Sequence, residues 1–217
     1  MGKPTAKELI AAAAKEIVVG PNTFLELLED GRVPYDRLRS FAGEQYWILR
    51  SDQRSFAALA ARFPEPPAGE MFLSLSGGEI QAQRLLVAFA DAVGADEAFL
   101  RGYEPDPMAQ TYPAYLAWSA INGTLSGITL AMLTNFGVWG AYCARTAGAL
   151  TSRYDLTENA VAFFHFFSKM PPGFEEQATT VIQSGLDAGE DPAMALRMAR
   201  ALYRYEIAFW DALAEGL

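Results

Sequence analysis

PYDRLRSFAGEQYWILRSDQRSFAALAARF, residues 34–63, is the stretch that decides the fold. Pro34 opens it, at a position where the missing N–H of proline removes no helical hydrogen bond. Leu38, Phe41, Ile48, Leu49, Phe56 and Leu59 then recur every three or four residues. That period lays one apolar stripe along roughly eight helical turns. Such a stripe must be covered by other elements, and helical spacing dominates the rest of the chain as well.

Upstream, Thr5 caps a first helix running to about Val18, and Glu8 completes a capping box. Gly20-Pro21 stops it. A short helix, Asn22–Glu29, ends at Asp30-Gly31. Downstream, Pro64, Pro66 and Pro67 break the long helix. The next helix runs from about Glu70 to Val93 and contains Gly77-Gly78, a place for a kink. Gly94–Pro107 reads as short helix plus turn. A helix through Tyr115 and Trp118 ends at Asn122-Gly123, and another covers Leu125–Leu150. Asp155 or Thr157 begins a helix ending near Met170-Pro171-Pro172. Phe174–Leu186 and Asp191–Leu213 complete the series, with Pro192 at a first helical position. No alternating strand pattern, internal repeat or low-complexity tract interrupts it. The expectation is an all-α fold, one bundle domain over residues 1–217.

Composition narrows the function classes. The chain has 217 residues, 51% of them hydrophobic, enough for one domain with a sizeable core. Lys and Arg number 17 against 26 Asp and Glu, a formal charge of −9. That balance argues for no nucleic acid and no membrane surface as partner. The single cysteine, Cys143, permits no internal disulfide and suits a cytoplasmic setting. Met1–Lys15 carries Lys3, Lys7, Glu8 and Lys15 around alanines and lacks the apolar core of a signal peptide. Ile121–Leu150 is apolar but interrupted by Asn122, Asn135, Arg145 and glycines, so it reads as a buried helix pair.

Metal and nucleophile chemistries find little support. His165, in AFFHFF, is the one histidine, and no His-x-x-Glu or Glu-x-x-His spacing accompanies it. It reads as a packed helix residue, and no metal and no cofactor are expected. SLSGGEI lacks the Lys-Ser/Thr ending of a phosphate loop. GTLSG is not a nucleophile elbow, and no strand precedes it.

What remains is a stock of amphipathic aromatics: Tyr46, Trp47, Tyr112, Tyr115, Trp118, Trp139, Tyr142, Tyr203, Tyr205 and Trp210. Several share helices with Glu44, Gln45 or Glu206. Phenols and carboxyls among aromatic faces suit a small heteroaromatic ligand, whose ring stacks while polar tips meet its nitrogens. The same residues also serve as ordinary core, and composition does not separate the two readings.

Four segments carry a resemblance. DGRVP (30–34) followed by FAGEQYWIL (41–49) is similar to the entry and first long helix of the TenA/thiaminase II family. TYPAYLAWSAINGTLSGITLAML (111–133) resembles that family's middle helices. VWGAYCARTAGAL (138–150) resembles the run around its nucleophile. RYEIAFWDALA (204–214) is similar to its C-terminal signature and is the most specific of the four. The resemblance implies a heme oxygenase-like helical bundle, a homodimer or homotetramer, and action on thiamin or its aminopyrimidine fragments.

Carried over by position, the resemblance makes Glu206 the catalytic acid–base residue. It makes Tyr46 the stacking tyrosine, Tyr115 the partner of the glutamate, and Tyr142 the tyrosine one turn after the nucleophile. The ring-binding aspartate becomes Gln45, a further pocket tyrosine becomes Phe167, and the nucleophilic cysteine becomes Val138. Cys143 adjoins Tyr142 and points about 100° away from it, so it reads as a structural thiol. With no nucleophile at Val138, the expectation is a divergent pocket for a planar nitrogenous molecule without the cysteine-dependent hydrolysis. An oxidase of the same fold, cofactor-free or metal-dependent, and a non-catalytic regulator are the alternatives.

Overall fold

Thr5 does what its spacing implies. Its hydroxyl accepts from the Glu8 N–H, and Glu8 reaches back to the Thr5 N–H at 2.8 Å. This capping box starts α1 (Ala6–Glu16) in a computed structural model that describes residues 4–217. The Lys3 end of the expected N-terminal segment lies outside the described residues. α2 (Thr23–Glu29) is capped by Asn22, and α3 (Tyr35–Arg62) follows. Then come α4 (Ala68–Ala92), α5 (Glu97–Gly102), α6 (Thr111–Asn122) and α7 (Leu125–Tyr154). α8 (Ala162–Phe167), α9 (Phe174–Asp187) and α10 (Pro192–Ala214) complete ten helices, with no strand among the described residues. None of these helices is long and apolar enough to cross a membrane.

α3 and α4 form an antiparallel pair. Phe63 meets Phe72 near the turn, Gln53 meets Ser76 and Gln83 midway, and Phe41 meets Phe89 at the far end. Gly77-Gly78 therefore does not break α4, because burial of one face against α3 along its whole length outweighs glycine's weak propensity. α7 packs on α10, α9, α8 and α2, and α6 closes against both α3 and α10. Leu38, Phe41, Leu59, Phe89, Leu130, Phe163, Val181 and Leu202 belong to one contiguous buried cluster.

Two expected boundaries move. Asp155 ends α7 rather than beginning a helix. It adopts the left-handed conformation (φ 53°), which Asp tolerates better than most residues, and its N–H returns to the Leu150 carbonyl. The phenylalanine-rich stretch beyond it is helical only as the six-residue α8. That short helix sits close to α7 because Gly140 has no side chain; a Cβ there would stand 3.0 Å from the Phe167 carbonyl oxygen.

The start of α7 is fixed from a distance. The Glu190 carboxylate accepts from the Leu125 and Ser126 N–H groups at 2.8 and 2.7 Å, and Thr124 accepts from Gly127. Negative charge at a helix N-terminus is favourable there.

Candidate functional site

Period 3.6 puts Gln45, Ile48, Leu49 and Asp52 on one side of α3, where they form a wall of an internal cavity of about 40 Å³. α4 adds Glu79, α6 adds Tyr112, and α7 adds Asn135, Phe136 and Trp139. Phe167 of α8 and Glu206 and Phe209 of α10 close it. A wider chamber of about 520 Å³ lies beside it and shares Glu79, Phe136, Trp139 and Phe167 with the inner cavity.

Three carboxylic acids reach the inner cavity from three helices. Asp52 is 4% exposed, Glu79 7% and Glu206 3%. No Lys, Arg or His lines it. Among the described residues, no group of three or more His, Cys, Asp and Glu is disposed to hold a metal ion. The Tyr112 hydroxyl donates to Asn135 Oδ1 at 3.4 Å, and Asn135 Nδ2 donates to Glu206 Oε2. Asp52 Oδ1 has no hydrogen-bond partner; Glu206 Oε1 and the Trp210 indole N–H are each unpaired in strict geometry, and the indole is close enough to favour the charged carboxylate.

Desolvation decides the protonation states. Burial pushes the Glu206 carboxyl up to about 8, against smaller downward pulls from the Trp210 indole and the Asn135 amide. Burial raises Asp52 well above the ordinary carboxylate range. Glu79 is raised by burial first and by the neighbouring Asp52 charge second. Burial also raises the Tyr112 phenol, with Asp52, Glu206 and Glu79 adding to it. An acid poised near neutrality can both donate and accept a proton.

Gln45, Phe167 and Glu206, all expected at the site, do line the cavity. Tyr46, Tyr115, Val138 and Tyr142 are not among the residues that line it. Tyr46 is one residue past Gln45 and so turned by about 100°. Its ring lies under the Arg50 guanidinium, 3.4 Å away, in a separate groove. Tyr115 stacks on Trp118 with centroids 5.6 Å apart and leans on Tyr205. Tyr112, one turn earlier on α6, takes the cavity position instead.

Val138 is buried, but its neighbour Trp139 is the one that faces the cavity. Tyr142 is seven residues beyond Asn135, about 10 Å further along α7. Its hydroxyl donates to the Gly20 carbonyl at 3.4 Å, and its ring edge meets Trp210. Cys143 is fully buried, and its thiol is raised by burial and then by the Glu206 charge. His165 is half exposed beside Glu158, 3.3 Å away.

Asp52, Glu79 and Asn135 lie outside the four family-like segments, and Tyr112 stands out in the sequence only as one of the amphipathic aromatics. A signal for the acids was present. Asp52 falls four residues after Ile48 and four before Phe56, inside the apolar stripe of α3. Glu79 falls four after Leu75 and three before Ala82, inside that of α4. A charge placed in a core stripe marks a site, because burying it costs stability.

Comparison with known proteins follows the geometry. A model described as the TENA/THI-4/PQQC family matches residues 13–216. No curated protein matches the sequence. Among solved structures, a TenA homologue from P. horikoshii superposes with a TM-score of 0.74 at 14% identity, covering 99% of this chain and 100% of that one. A TenA homologue from Pyrococcus furiosus gives 0.69 at 18% identity, covering 96% and 98%. A domain of unknown function from Shewanella denitrificans, described as having a heme oxygenase-like fold, gives 0.72 at 16%, covering 95% and 89%. At these identities the likeness concerns the fold, which is all-α and heme oxygenase-like.

Proposed function

The chain belongs to the TENA/THI-4/PQQC family, and from that premise we propose that it is a divergent TenA-like protein whose inner cavity, together with the wider chamber beside it, recognises a planar nitrogenous molecule related to the pyrimidine of thiamin. Glu206 carries the reading: a carboxyl buried at the cavity and poised near neutrality. It exchanges a proton with a ligand nitrogen, while the Asn135 amide and Tyr112 phenol hold it from behind. Gln45 offers an amide to the ligand's polar edge, and Trp139 and Phe167 offer faces for stacking.

The cysteine route has no residue to run on. The α7 residues that face the cavity are Asn135, Phe136 and Trp139, and none of them attacks a ring carbon. Cys143 sits elsewhere in the core as a neutral thiol. The protein in this reading binds its ligand and performs proton transfer on it, and any thiamin-linked role stops short of cysteine-dependent hydrolysis.

We also read residues 1–217 as one domain, supported by the single buried cluster to which helices from α1 to α10 contribute. An oligomer is part of the proposal, and Leu73, Ile80 and Val87, exposed seven residues apart along α4, give it a contact stripe.

Thermal-shift titration of the purified protein with thiamin and its aminopyrimidine fragments tests the ligand. A bound aminopyrimidine at a hundredfold excess over its Kd should stabilise the fold by about 2.7 kcal/mol. Glu206→Gln should abolish the shift. An unshifted melting temperature across the series removes the thiamin reading.

A further inference from the structure

α3 carries a second row of side chains, turned by about 100° from Gln45. Tyr46 and Arg50 of that row border a groove of about 320 Å³ between α3, α4 and α5. Such a volume lies at the small end of ligand pockets. Because α3 and α4 run antiparallel, with Gln53 against Gln83 and Phe41 against Phe89, Arg50 and Gln83 stand at one end of the groove. Asp91 stands at the other end, about two turns and 12 Å further along α4. Between the two ends Leu86, Ala90, Ala95 and Leu100 make a buried aliphatic floor.

Arg50 is half-buried, with its guanidinium 3.4 Å from the centre of the Tyr46 ring. Its one hydrogen bond among the described residues goes to the Tyr46 carbonyl at 2.9 Å. The ring fixes the plane of the guanidinium and leaves its other N–H donors open. Among the described residues no carboxylate pairs with Arg50 or with the exposed Arg54, while Arg101 of α5 pairs with Glu97. Burial lowers the Arg50 guanidinium from its ordinary value, and the charges of Arg101 and Arg54 lower it further against an opposing pull from Tyr46. Three of the chain's 17 Lys and Arg residues thus gather at one end of a groove, in a molecule whose formal charge is −9. Like charges held together without enough counter-charge favour an anion between them. Asp91 repels that anion from the far end and so directs it to Arg50.

We propose that this groove is a second small-molecule site, separate from the inner cavity, for a short aliphatic carboxylate. The carboxylate accepts from the open donors of Arg50, with Arg54 and Arg101 adding positive charge, and the alkyl chain lies over Leu86, Ala90, Ala95 and Leu100. The planar fork of an arginine matches the two oxygens of a carboxylate, and a floor of aliphatic side chains gains most from covering by an alkyl chain.

Calorimetric titration of the full-length protein with hexanoate at pH 7 tests the site. Saturable binding is expected, with hexanol about tenfold or more weaker and hexylamine weaker than hexanol. Arg50→Gln should weaken hexanoate by about tenfold and leave hexanol unchanged. Arg54→Gln alters an exposed side chain, so it keeps the test open if Arg50→Gln does not fold; it should weaken hexanoate about twofold. The outer chamber is the competing location, since Lys169 lines it together with apolar side chains. Hexanoate should bind Lys169→Gln and Glu206→Gln as it binds the wild type. Absence of saturable binding, equal affinity for hexanol, or loss of hexanoate in Lys169→Gln with none in Arg50→Gln overturns the proposal. The two sites fall separately: an aminopyrimidine shift that persists in Arg50→Gln belongs to the inner cavity, and its absence from the wild type leaves the hexanoate result untouched.

Discussion

Glu44 and Asp52 stand about two turns apart on α3, both buried, with opposite surroundings. Glu44 Oε1 accepts from the Tyr103 hydroxyl and the Asp106 N–H, each at 2.8 Å, and Oε2 accepts from the Gln110 amide. Gly43 beside it leaves room for the Tyr103 ring, which a Cβ would meet at 2.5 Å. Glu44 is a fastener that holds the segment between α5 and α6 onto α3. Asp52 has an oxygen with no donor and faces a cavity with two further acids. A buried carboxyl that is fully hydrogen-bonded is explained by the fold. One left open costs stability that no contact offsets, and its explanation lies in what enters the cavity.

The largest expected effect is on pH dependence. The Glu206 carboxyl is about 8 in the folded chain against an ordinary 4.5, so the folded state holds a proton that the unfolded state gives up. The associated penalty is absent below the unfolded value, grows as pH rises and is complete near the folded value. Over that window Glu206 alone lowers stability by about 1.4 kcal/mol per pH unit. Denaturation midpoints measured from pH 5 to 8 should show the fall, and Glu206→Gln should make it shallower, leaving the part that Asp52 and Glu79 contribute. A wild-type protein equally stable across that range breaks the contrast.

Next comes the fastener itself. Glu44→Ala leaves the Tyr103, Asp106 and Gln110 donors unpaired and should cost about 3 kcal/mol in urea unfolding. Asp52→Asn exchanges one neutral polar side chain for another of similar shape. It should change stability by less than about 1 kcal/mol at pH 6 and raise it at higher pH. Equal losses from Glu44→Ala and Asp52→Asn would place both acids in the same structural role. The smallest effect belongs to Tyr112→Phe, which removes one long hydrogen bond to Asn135. It should cost about 0.5 kcal/mol and act mainly through ligand affinity, measured in the same thermal-shift titration.

The fold was legible because its signals are local and repeated. The α3 stripe, the Thr5–Glu8 capping box and Pro192 each act within a turn or two. Asp155 and Thr157 both offer a helix start in the sequence, because an Asp serves a helix start and a left-handed helix end equally well; in the structure Asp155 ends α7, and the Thr157 hydroxyl accepts from the Ala160 N–H. The site divides in the same way. Glu206, Gln45 and Phe167 were reachable through resemblance to a family. Choosing among Tyr112, Tyr115 and Tyr142 requires knowing how each helix is rotated about its axis, and that phase is set by packing between helices. Trp139 and Val138 illustrate the point: one residue of offset exchanges a wall of the cavity for ordinary core. Asp52 and Glu79 needed no rotation to be noticed, since each interrupts an apolar stripe.

Trp139 has a consequence of another kind. It stands in the wall between the two spaces, 5.6 Å from the buried Trp210, while Trp47 and Trp118 are exposed to solvent at 37% and 52%. The molecule therefore carries two classes of fluorophore. Buried Trp210 and half-buried Trp139 should emit at shorter wavelength, and a ring laid against Trp139 should quench that emission. The exposed pair emits at longer wavelength and is indifferent to that event, so occupancy is readable as a change in spectral shape with its reference built into the same chain.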